Sequence, residues 1–316
     1  MSVDRSQHRR LRRWRVLVAV PALLMMSVAA PARAEPSGDR VVESTFPGEG
    51  WCVETPLARF HYRKAGEGPP LILLPGGTMW SYTYRGIIPA LAAEHTVYAV
   101  DLPGTGYTTL HDRGFGYDVE AMTDALRQFM SAVGLTHASI LAHSLNGSVA
   151  VDFAARHPEQ VDRLALIAPL VLDTELNVNM QLMRRPIAGE LATSVMTEEI
   201  YAAGLRGAYA HPEILTHELA DTYWTPLSSA ENRTAMWKQP RNLDLAAVQR
   251  EASTIEADTL ILWGENDHVV DLSQARPLAH LIPHARLRII PDAGHNAHED
   301  DPATVATELT GFLGPR

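Results

Sequence analysis

Cysteine is almost absent from this chain of 316 residues, and Cys52 is the only one. An intramolecular disulfide is therefore impossible, and zinc sites built from several cysteines are excluded. We expect Cys52 to be buried and inert, because it precedes the main motifs and has no evident base partner. Basic residues are also scarce beyond residue 34, where 20 of them stand against 36 acidic ones. Because a nucleic-acid binder needs a basic face, this acidic body argues against nucleic acid as a partner.

Long apolar runs are equally scarce, and the main one lies at the N-terminus. Residues 16–32 carry no charge, residues 5–15 before them are rich in arginine, and residues 32–34 read Ala-Arg-Ala. This is the layout of a secretory signal peptide, so we predict that residues 1–34 are cleaved on export to the periplasm or the extracellular space. The mature chain would have no stable membrane insertion. An uncleaved anchor is the alternative, although the run is short for a span of about 20 residues.

The rest of the chain alternates between short apolar runs and helical patterns. The runs are typical of strands buried on both faces of a parallel sheet, and they cover residues 71–74, 96–100, 138–142, 163–168, 259–263 and 287–290. Apolar stripes of helical period lie between them, at residues 118–133, 145–156, 273–282 and 303–313. The alternation predicts a three-layer α/β domain with a mostly parallel sheet, made of residues 35–169 and 256–316. Within it, residues 35–50 are expected to be a loose leader.

Residues 170–255 interrupt this alternation. They contain helical patterns and no clear strand, and they are too long for a simple crossover. We therefore predict a helical cap inserted into the α/β domain. Four large apolar residues of the cap are candidates for lining a substrate pocket, with helix packing inside the cap as the alternative for each: Met180, Met183, Trp224 and Trp237.

A serine follows the third apolar run at a point where ligands are expected. Open α/β sheets bind ligands at the carboxyl ends of their strands. Ser144 follows the strand 138–142 and opens the helix 145–156, in a small-x-Ser-x-small pattern that is typical of a nucleophile turn. Ala142 fits the pattern. Asn146 departs from it, since glycine is usual there, but asparagine tolerates unusual backbone angles better than most residues.

Two further residues at strand ends strengthen the hypothesis of a catalytic serine. Asp267 follows the strand 259–263, and His295 follows the last strand. The chain order Ser, Asp, His, each after a strand, resembles the α/β-hydrolase superfamily over roughly residues 58–168 and 257–314. Residues 80–89 and 101–107 resemble the capped branch that includes haloalkane dehalogenases, epoxide hydrolases and carbon–carbon bond hydrolases. The resemblance implies the α/β-hydrolase fold with an inserted cap.

Ser144, His295 and Asp267 would each have a separate role in a catalytic triad. A serine hydroxyl needs a base to accept its proton, which would be His295, and Asp267 would hold the imidazole in one tautomer. The resemblance places the oxyanion hole at the backbone N–H groups of Gly77 and Leu145. The family commonly has His-Gly in the first of these loops, whereas residues 75–77 here read Pro-Gly-Gly. Asp173 is an alternative for the acid, because some superfamily members place it there.

The remaining polar residues of the motifs have structural interpretations. His295 and His298 lie three apart, but without a third ligand nearby we expect no metal and no cofactor. We expect packing, turn and loop-stabilising roles for His143, Asp101, His298 and Glu299.

A serine at position 144 limits the reaction. Haloalkane dehalogenases and typical epoxide hydrolases use an aspartate nucleophile, so the resemblance does not carry their activities over. We predict an exported serine hydrolase that cleaves a small or medium carboxylic ester or lactone through an acyl-enzyme on Ser144. The alternatives are a serine-dependent carbon–carbon bond hydrolase, a perhydrolase, or a non-catalytic small-molecule binding protein on the same fold. The sequence leaves the oligomeric state open.

Overall fold

A single sheet runs through residues 49–314, the part of the chain that the computed structural model describes. The predicted signal peptide, residues 1–34, and the predicted leader up to residue 48 lie outside the described residues. In the described part the nine strands are β1 (Glu49–Glu54), β2 (Ala58–Ala65), β3 (Pro70–Leu74), β4 (Thr96–Val100), β5 (Thr109–Leu110), β6 (Ala138–His143), β7 (Val161–Ile167), β8 (Thr259–Gly264) and β9 (Ala285–Ile290). Strands β3, β4 and β6–β9 pair in parallel, while β2 pairs antiparallel with β1, β4 and β5.

The order of the strands creates a crevice at the centre of the sheet. The order is β1-β2-β4-β3-β6-β7-β8-β9, with β5 beside β2. From β3 the sheet continues through β4 on one side and through β6 on the other, and Leu74 lies opposite Ala142 in the β3–β6 register. The loops that leave these two strands therefore meet at one carboxyl edge, which is where open α/β sheets bind ligands. Those loops contain Gly77 and Ser144.

The helices that the sequence predicts around the sheet are present with boundaries shifted by two residues or fewer. They are α2 (Val119–Ala132), α3 (Leu145–Arg156), α10 (Ala275–Leu281) and α12 (Pro302–Leu313), and the short helices α1 (Ile88–Leu91) and α11 (Ala297–Asp300) accompany them. Helix α2 shows how local sequence signals define both ends of a helix. Asp118 caps its first turn by accepting the Ala121 N–H at 3.0 Å, and Gly134 follows its end with a positive φ of 77°.

The chain between β7 and β8 is helical. It forms α4 (Val178–Arg184), α5 (Ala188–Ser194), α6 (Glu198–Arg206), α7 (His217–Leu227), α8 (Ala230–Asn242) and α9 (Leu245–Ala252), and this described stretch holds no strand. Most of these helices begin after a side chain that accepts an N–H of the first turn: Asn177, Thr197, Thr216, Ser229 and Asp244. We use the word cap as a name for residues 170–255, and its assignment as an inserted cap domain stays a prediction.

Two expectations about burial are wrong. Cys52 is exposed, because β1 lies at the edge of the sheet and pairs with β2 alone. Strand β9 is not buried on both faces: it forms the opposite edge, and only Ile290 of its residues is fully buried. An edge strand has one neighbour and incomplete helix cover, so an apolar run does not by itself distinguish it from a central strand.

Two carboxylic acids are neighbours where α9 packs on α3. Asp152 of α3 is buried and lies 3.6 Å from Arg156, and Glu251 of α9 is half-buried beside it. Burial, and then the charge of Asp152, raises the pKa of Glu251 to about 7. The folded state therefore binds a proton at Glu251 more tightly than the unfolded state does, and the protonated acid can donate to Asp152.

We expect Glu251→Gln to change how stability depends on pH. In the wild type the contribution of Glu251 is complete below about pH 4.5 and is lost as the pH rises through about 7. The variant should therefore melt at a higher temperature than the wild type at pH 8, and the difference should shrink toward pH 5. Thermal unfolding at both pH values measures this. Glu67→Gln, at an exposed turn, is the control, and an equal difference at both pH values would contradict the prediction.

Candidate active site

Ser144 sits on a strained turn between β6 and α3. Its backbone has φ 53° and ψ −123°, a region that residues with a side chain rarely adopt and that costs about 1–3 kcal/mol. Three hydrogen bonds hold the turn: the Ser144 N–H donates to the Ile167 carbonyl at 3.0 Å, and the Ser144 carbonyl accepts from Gly147 and Leu170, each at 2.9 Å. The turn lifts the half-buried hydroxyl of Ser144 toward the crevice.

Asn146 can be accommodated in this turn because the close packing is at Gly147, the next residue. A Cβ on Gly147 would lie 2.5 Å from the Cβ of Pro169, which leaves no room for a side chain there. The asparagine is fully buried, and its amide Nδ2 donates to the Pro75 carbonyl at 2.6 Å. The departure from the family pattern at position 146 therefore adds a contact to a neighbouring loop.

Ser144, His295 and Asp267 form a continuous hydrogen-bonded chain. The distance from Ser144 Oγ to His295 Nε2 is 2.8 Å, and that from His295 Nδ1 to Asp267 Oδ2 is also 2.8 Å. A carboxylate oxygen accepts only, so the proton of the neutral imidazole is on Nδ1 and Nε2 accepts from the serine hydroxyl. The other oxygen of Asp267 accepts the N–H groups of Val269 and Val270, at 2.8 and 3.0 Å. These bonds fix the orientation of the buried carboxylate.

Asp173, the alternative acid, lies elsewhere. Its side chain is exposed, and its N–H donates to Gln249 at 2.7 Å. The carboxylate that is hydrogen-bonded to His295 is that of Asp267.

The two proposed oxyanion donors belong to backbone segments that pack against each other. A Cβ on Gly77 would lie 2.7 Å from the side chain of Leu145, so the loop after β3 is packed directly against the nucleophile turn. Leu145 is the first residue of α3, and the first N–H groups of a helix have no partner within it. The N-terminus of α3 also favours negative charge at this place. The arrangement suits an anion formed next to Ser144.

Two histidines that do not belong to the triad pack around the base. The His143 ring lies 4.7 Å from that of His295 and 4.8 Å from that of His298. Burial, and then these two neighbours, holds the pKa of His143 well below its usual range, and burial followed by Arg85 lowers the pKa of His298 to about 3. Both rings are therefore neutral. His143 Nε2 donates to the His295 carbonyl at 3.1 Å, which holds the backbone of the base. The expectation that His143 packs beside the turn is confirmed.

Glu299 ties the segment after the base to both the core and the cap. Its side chain is buried and lies 2.6 Å from Arg85, in a salt bridge. Its Oε1 accepts hydrogen bonds from Thr83 at 2.8 Å, Tyr223 at 2.8 Å and Tyr209 at 3.2 Å. Burial, and then the charge of Glu299, raises the pKa of both tyrosines, so they remain donors. The expectation that Glu299 pairs and that His298 stabilises the loop is confirmed, with His298 Nε2 2.6 Å from Thr83.

Further hydrogen bonds join the loop that carries His295 to the cap. The Asp300 carboxylate accepts the N–H of Gly294 at 2.7 Å and that of Ala210 at 3.1 Å. The N–H of Asn296 donates to the Ala208 carbonyl at 3.0 Å. Since residues 208–210 belong to the cap, these bonds join the cap to the loop that carries His295. The sequence pattern held no signal for these contacts.

The four apolar cap residues differ in their surroundings. Trp224 packs 6.0 Å from Tyr201, whose hydroxyl donates to the Thr78 carbonyl at 3.1 Å, next to Gly77. The Trp237 ring lies 4.2 Å from the Arg241 guanidinium within α8, which favours the packing alternative. Met180 and Met183 are half-buried on α4. Of the four, Trp224 has the structural link to the oxyanion loop.

The turn around Asp101 is held as the sequence predicts. The carboxylate of Asp101 is fully buried and accepts from the Ser81 and Tyr107 N–H groups and from His61. Over residues 49–314 there is no group of three or more His, Cys, Asp or Glu placed to hold a metal ion. In the same part of the chain no helix has the length and apolarity that a membrane span requires.

Comparison with known proteins decides the family. The sequence model of a family described as alpha/beta hydrolase fold matches residues 69–302, about three quarters of the chain. The chain belongs to this α/β hydrolase family. The match contains Ser144, Asp267 and His295 and covers the cap as well as both parts of the core. Membership supports hydrolase activity, and it leaves the type of bond open.

Individual proteins similar to this chain are named for different activities. A 2-hydroxy-6-oxononadienedioate/2-hydroxy-6-oxononatrienedioate hydrolase of Comamonas testosteroni is 28% identical over 261 residues, which cover 75% of this chain and 85% of that protein. A cis-3-alkyl-4-alkyloxetan-2-one decarboxylase of Shewanella oneidensis is 24% identical over 272 residues, 81% and 85% of the two chains. A meta-cleavage product hydrolase of Pseudomonas fluorescens shares the fold, with a TM-score of 0.71, 22% identity and coverage of 83% and 97%.

Proposed function

We propose that this protein is a serine hydrolase that cleaves a small or medium carboxylic ester or lactone through an acyl-enzyme. The observation that carries the proposal is the hydrogen-bonded chain Ser144–His295–Asp267 at a strained turn. His295 would take the serine proton during attack on the carbonyl carbon and return it to the leaving alcohol. Water, activated by the same base, would then release the acid. The N–H groups of Gly77 and Leu145 would stabilise the oxyanion at each stage.

An uncharged substrate is favoured by the charges around the site. Arg85, the cation of the network behind the base, is already paired with Glu299 and stacked on Tyr82 at 4.8 Å. Its charge is therefore neutralised within the protein, and it is not available to bind a carboxylate of the substrate. The aromatic contacts near the oxyanion loop, Tyr201 and Trp224, supply apolar surface instead. Both features support a neutral ester or lactone.

A carbon–carbon bond hydrolase is the second candidate. The relative from Comamonas testosteroni, whose name is that of a dienedioate hydrolase, favours it. The same triad would serve, with the bond beside a ketone cleaved in place of the ester bond. Such a substrate is a dicarboxylate, for which the paired Arg85 provides no free charge.

We also propose that the protein is exported. The support is the sequence of residues 1–34 alone: a basic segment, an uncharged run and an Ala-Arg-Ala site. Expression of the full chain with N-terminal sequencing of the mature product tests this, and a mature protein that begins at Glu35 is the expected result.

The test of the chemistry combines a covalent probe with a substrate panel. Purified residues 35–316 should gain the mass of one fluorophosphonate adduct, on Ser144, because the probe requires an activated serine. Short-chain esters and lactones should be turned over faster than a dienone dicarboxylate or a β-diketone. Faster cleavage of the carbon–carbon substrates would select the second candidate.

Failure of the folded protein to react would overturn the proposal. A bulky fluorophosphonate and a smaller sulfonyl fluoride, phenylmethanesulfonyl fluoride, are used side by side, so that exclusion of the larger probe by the cap is recognised. No labelling by either probe, together with no turnover, would support a binding protein on this fold.

A further inference from the structure

The loop that carries the first oxyanion donor is held at three consecutive carbonyl groups. The Leu74 carbonyl accepts the Tyr84 hydroxyl at 2.6 Å, and the Gly76 carbonyl accepts the Met79 N–H at 3.0 Å. Between them, the Pro75 carbonyl accepts the amide of Asn146 at 2.6 Å. Each bond fixes one peptide plane, and the next N–H along the chain is that of Gly77.

Of these three bonds, the one from Asn146 connects the loop directly to the nucleophile turn. Asn146 is two residues after Ser144, on the first turn of α3, and is 1% exposed. The other two donors belong to the segment that follows the loop in the chain. The Asn146 side chain therefore joins the two backbone segments that carry the proposed oxyanion donors.

The pairing of Asn146 with Pro75 explains two departures from the family pattern together. Proline has no N–H and no polar side chain, so residue 75 cannot donate a hydrogen bond that would hold the loop in place. Glycine at position 146 would leave the buried Pro75 carbonyl without this donor, which destabilises the loop. Asn146 supplies the missing donor from the opposite side of the crevice.

We propose that Asn146 is a positioning residue for the oxyanion hole, which it aligns by clamping the Pro75–Gly76 peptide to the nucleophile turn. This inference rests on the serine mechanism proposed above. Asn146 acts through the Gly77 N–H and does not touch the reacting atoms. A misplacement of about 1 Å in such a group can cost about 100-fold in rate.

The test uses Asn146→Gly, which has the usual family residue, and Asn146→Asp, which keeps the shape but presents a carboxylate oxygen to the Pro75 carbonyl. Both variants should lower kcat by about 10- to 100-fold on an ester, with KM changed less than threefold. An alkyl trifluoromethyl ketone forms a tetrahedral oxyanion on Ser144, and its affinity should fall by the same factor as kcat/KM. A variant that only destabilised the fold would not lose kcat/KM and affinity for the ketone by the same factor.

Asn232→Ala is the matched control. Asn232 is also buried and also donates to backbone carbonyls, those of Gly106 at 2.8 Å and Pro226 at 2.9 Å, but it lies in α8 of the cap. This variant should lower the melting temperature and keep the affinity for the trifluoromethyl ketone.

The outcomes separate this inference from the function on which it rests. If the wild type is labelled and active, and the folded Asn146 variants keep kcat and ketone affinity within threefold, Asn146 is not a positioning residue and the serine mechanism stands. If the wild type neither reacts nor turns over esters, both proposals fall. If Asn232→Ala loses ketone affinity as much as the Asn146 variants do, the effect is one of general stability and the inference is overturned.

Discussion

Replacing Ser144 with alanine should reduce ester turnover by about 10⁶-fold, the loss seen when a triad nucleophile is removed. Alanine keeps the Cβ and the strained backbone of the turn but leaves His295 with no hydroxyl to deprotonate. A small residual rate over water is expected, because the oxyanion donors remain in place. Steady-state hydrolysis of the best ester from the panel measures this.

Ser148→Ala is the matched control for this variant. Ser148 lies one turn further along α3, is fully buried, and donates its hydroxyl to the Leu170 carbonyl. Its loss should lower stability and leave kcat within a few fold of the wild type. Turnover by Ser144→Ala at more than a thousandth of the wild-type rate, after contaminating esterases have been removed, would mean that another group is the nucleophile.

Replacing Asp267 with asparagine should reduce kcat by about 10⁴-fold, because it changes the tautomer of His295. The two N–H groups of Val269 and Val270 require an oxygen in front of them, so the amide nitrogen of the new side chain must face His295. That nitrogen donates to Nδ1, and the imidazole proton moves to Nε2. A protonated Nε2 cannot accept the proton of Ser144.

The same experiment distinguishes between the two candidate acids. Asp173→Asn changes an exposed carboxylate whose backbone is bonded to Gln249, so it should keep full activity. Turnover and the rate of fluorophosphonate labelling are measured for both variants, with circular dichroism to confirm the fold. A loss in Asp173→Asn that equals the loss in Asp267→Asn would exclude the arrangement described here.

Much of the architecture was predictable because it depends on local patterns. Central strands such as β6 and β8 read as apolar runs that end at a polar residue, and α2 has a capped start and a glycine stop. The antiparallel strands β1 and β2 escaped prediction, since their alternating and charged sequences lack such a run. Strand β9 was misjudged because an apolar run does not reveal how many neighbours a strand has.

The amino-acid sequence alone indicated Ser144, His295 and two candidates for the acid, because each follows a strand and parallel strands bring their carboxyl ends to one edge. Only the tertiary structure showed that Asp267 contacts His295 and that Asn146 reaches Pro75, 71 positions away. The Glu299 network with Tyr209 and Tyr223 likewise joins distant parts of the chain. Such contacts depend on sheet register and on the packing of the cap, which hydrophobic period and turn chemistry do not encode.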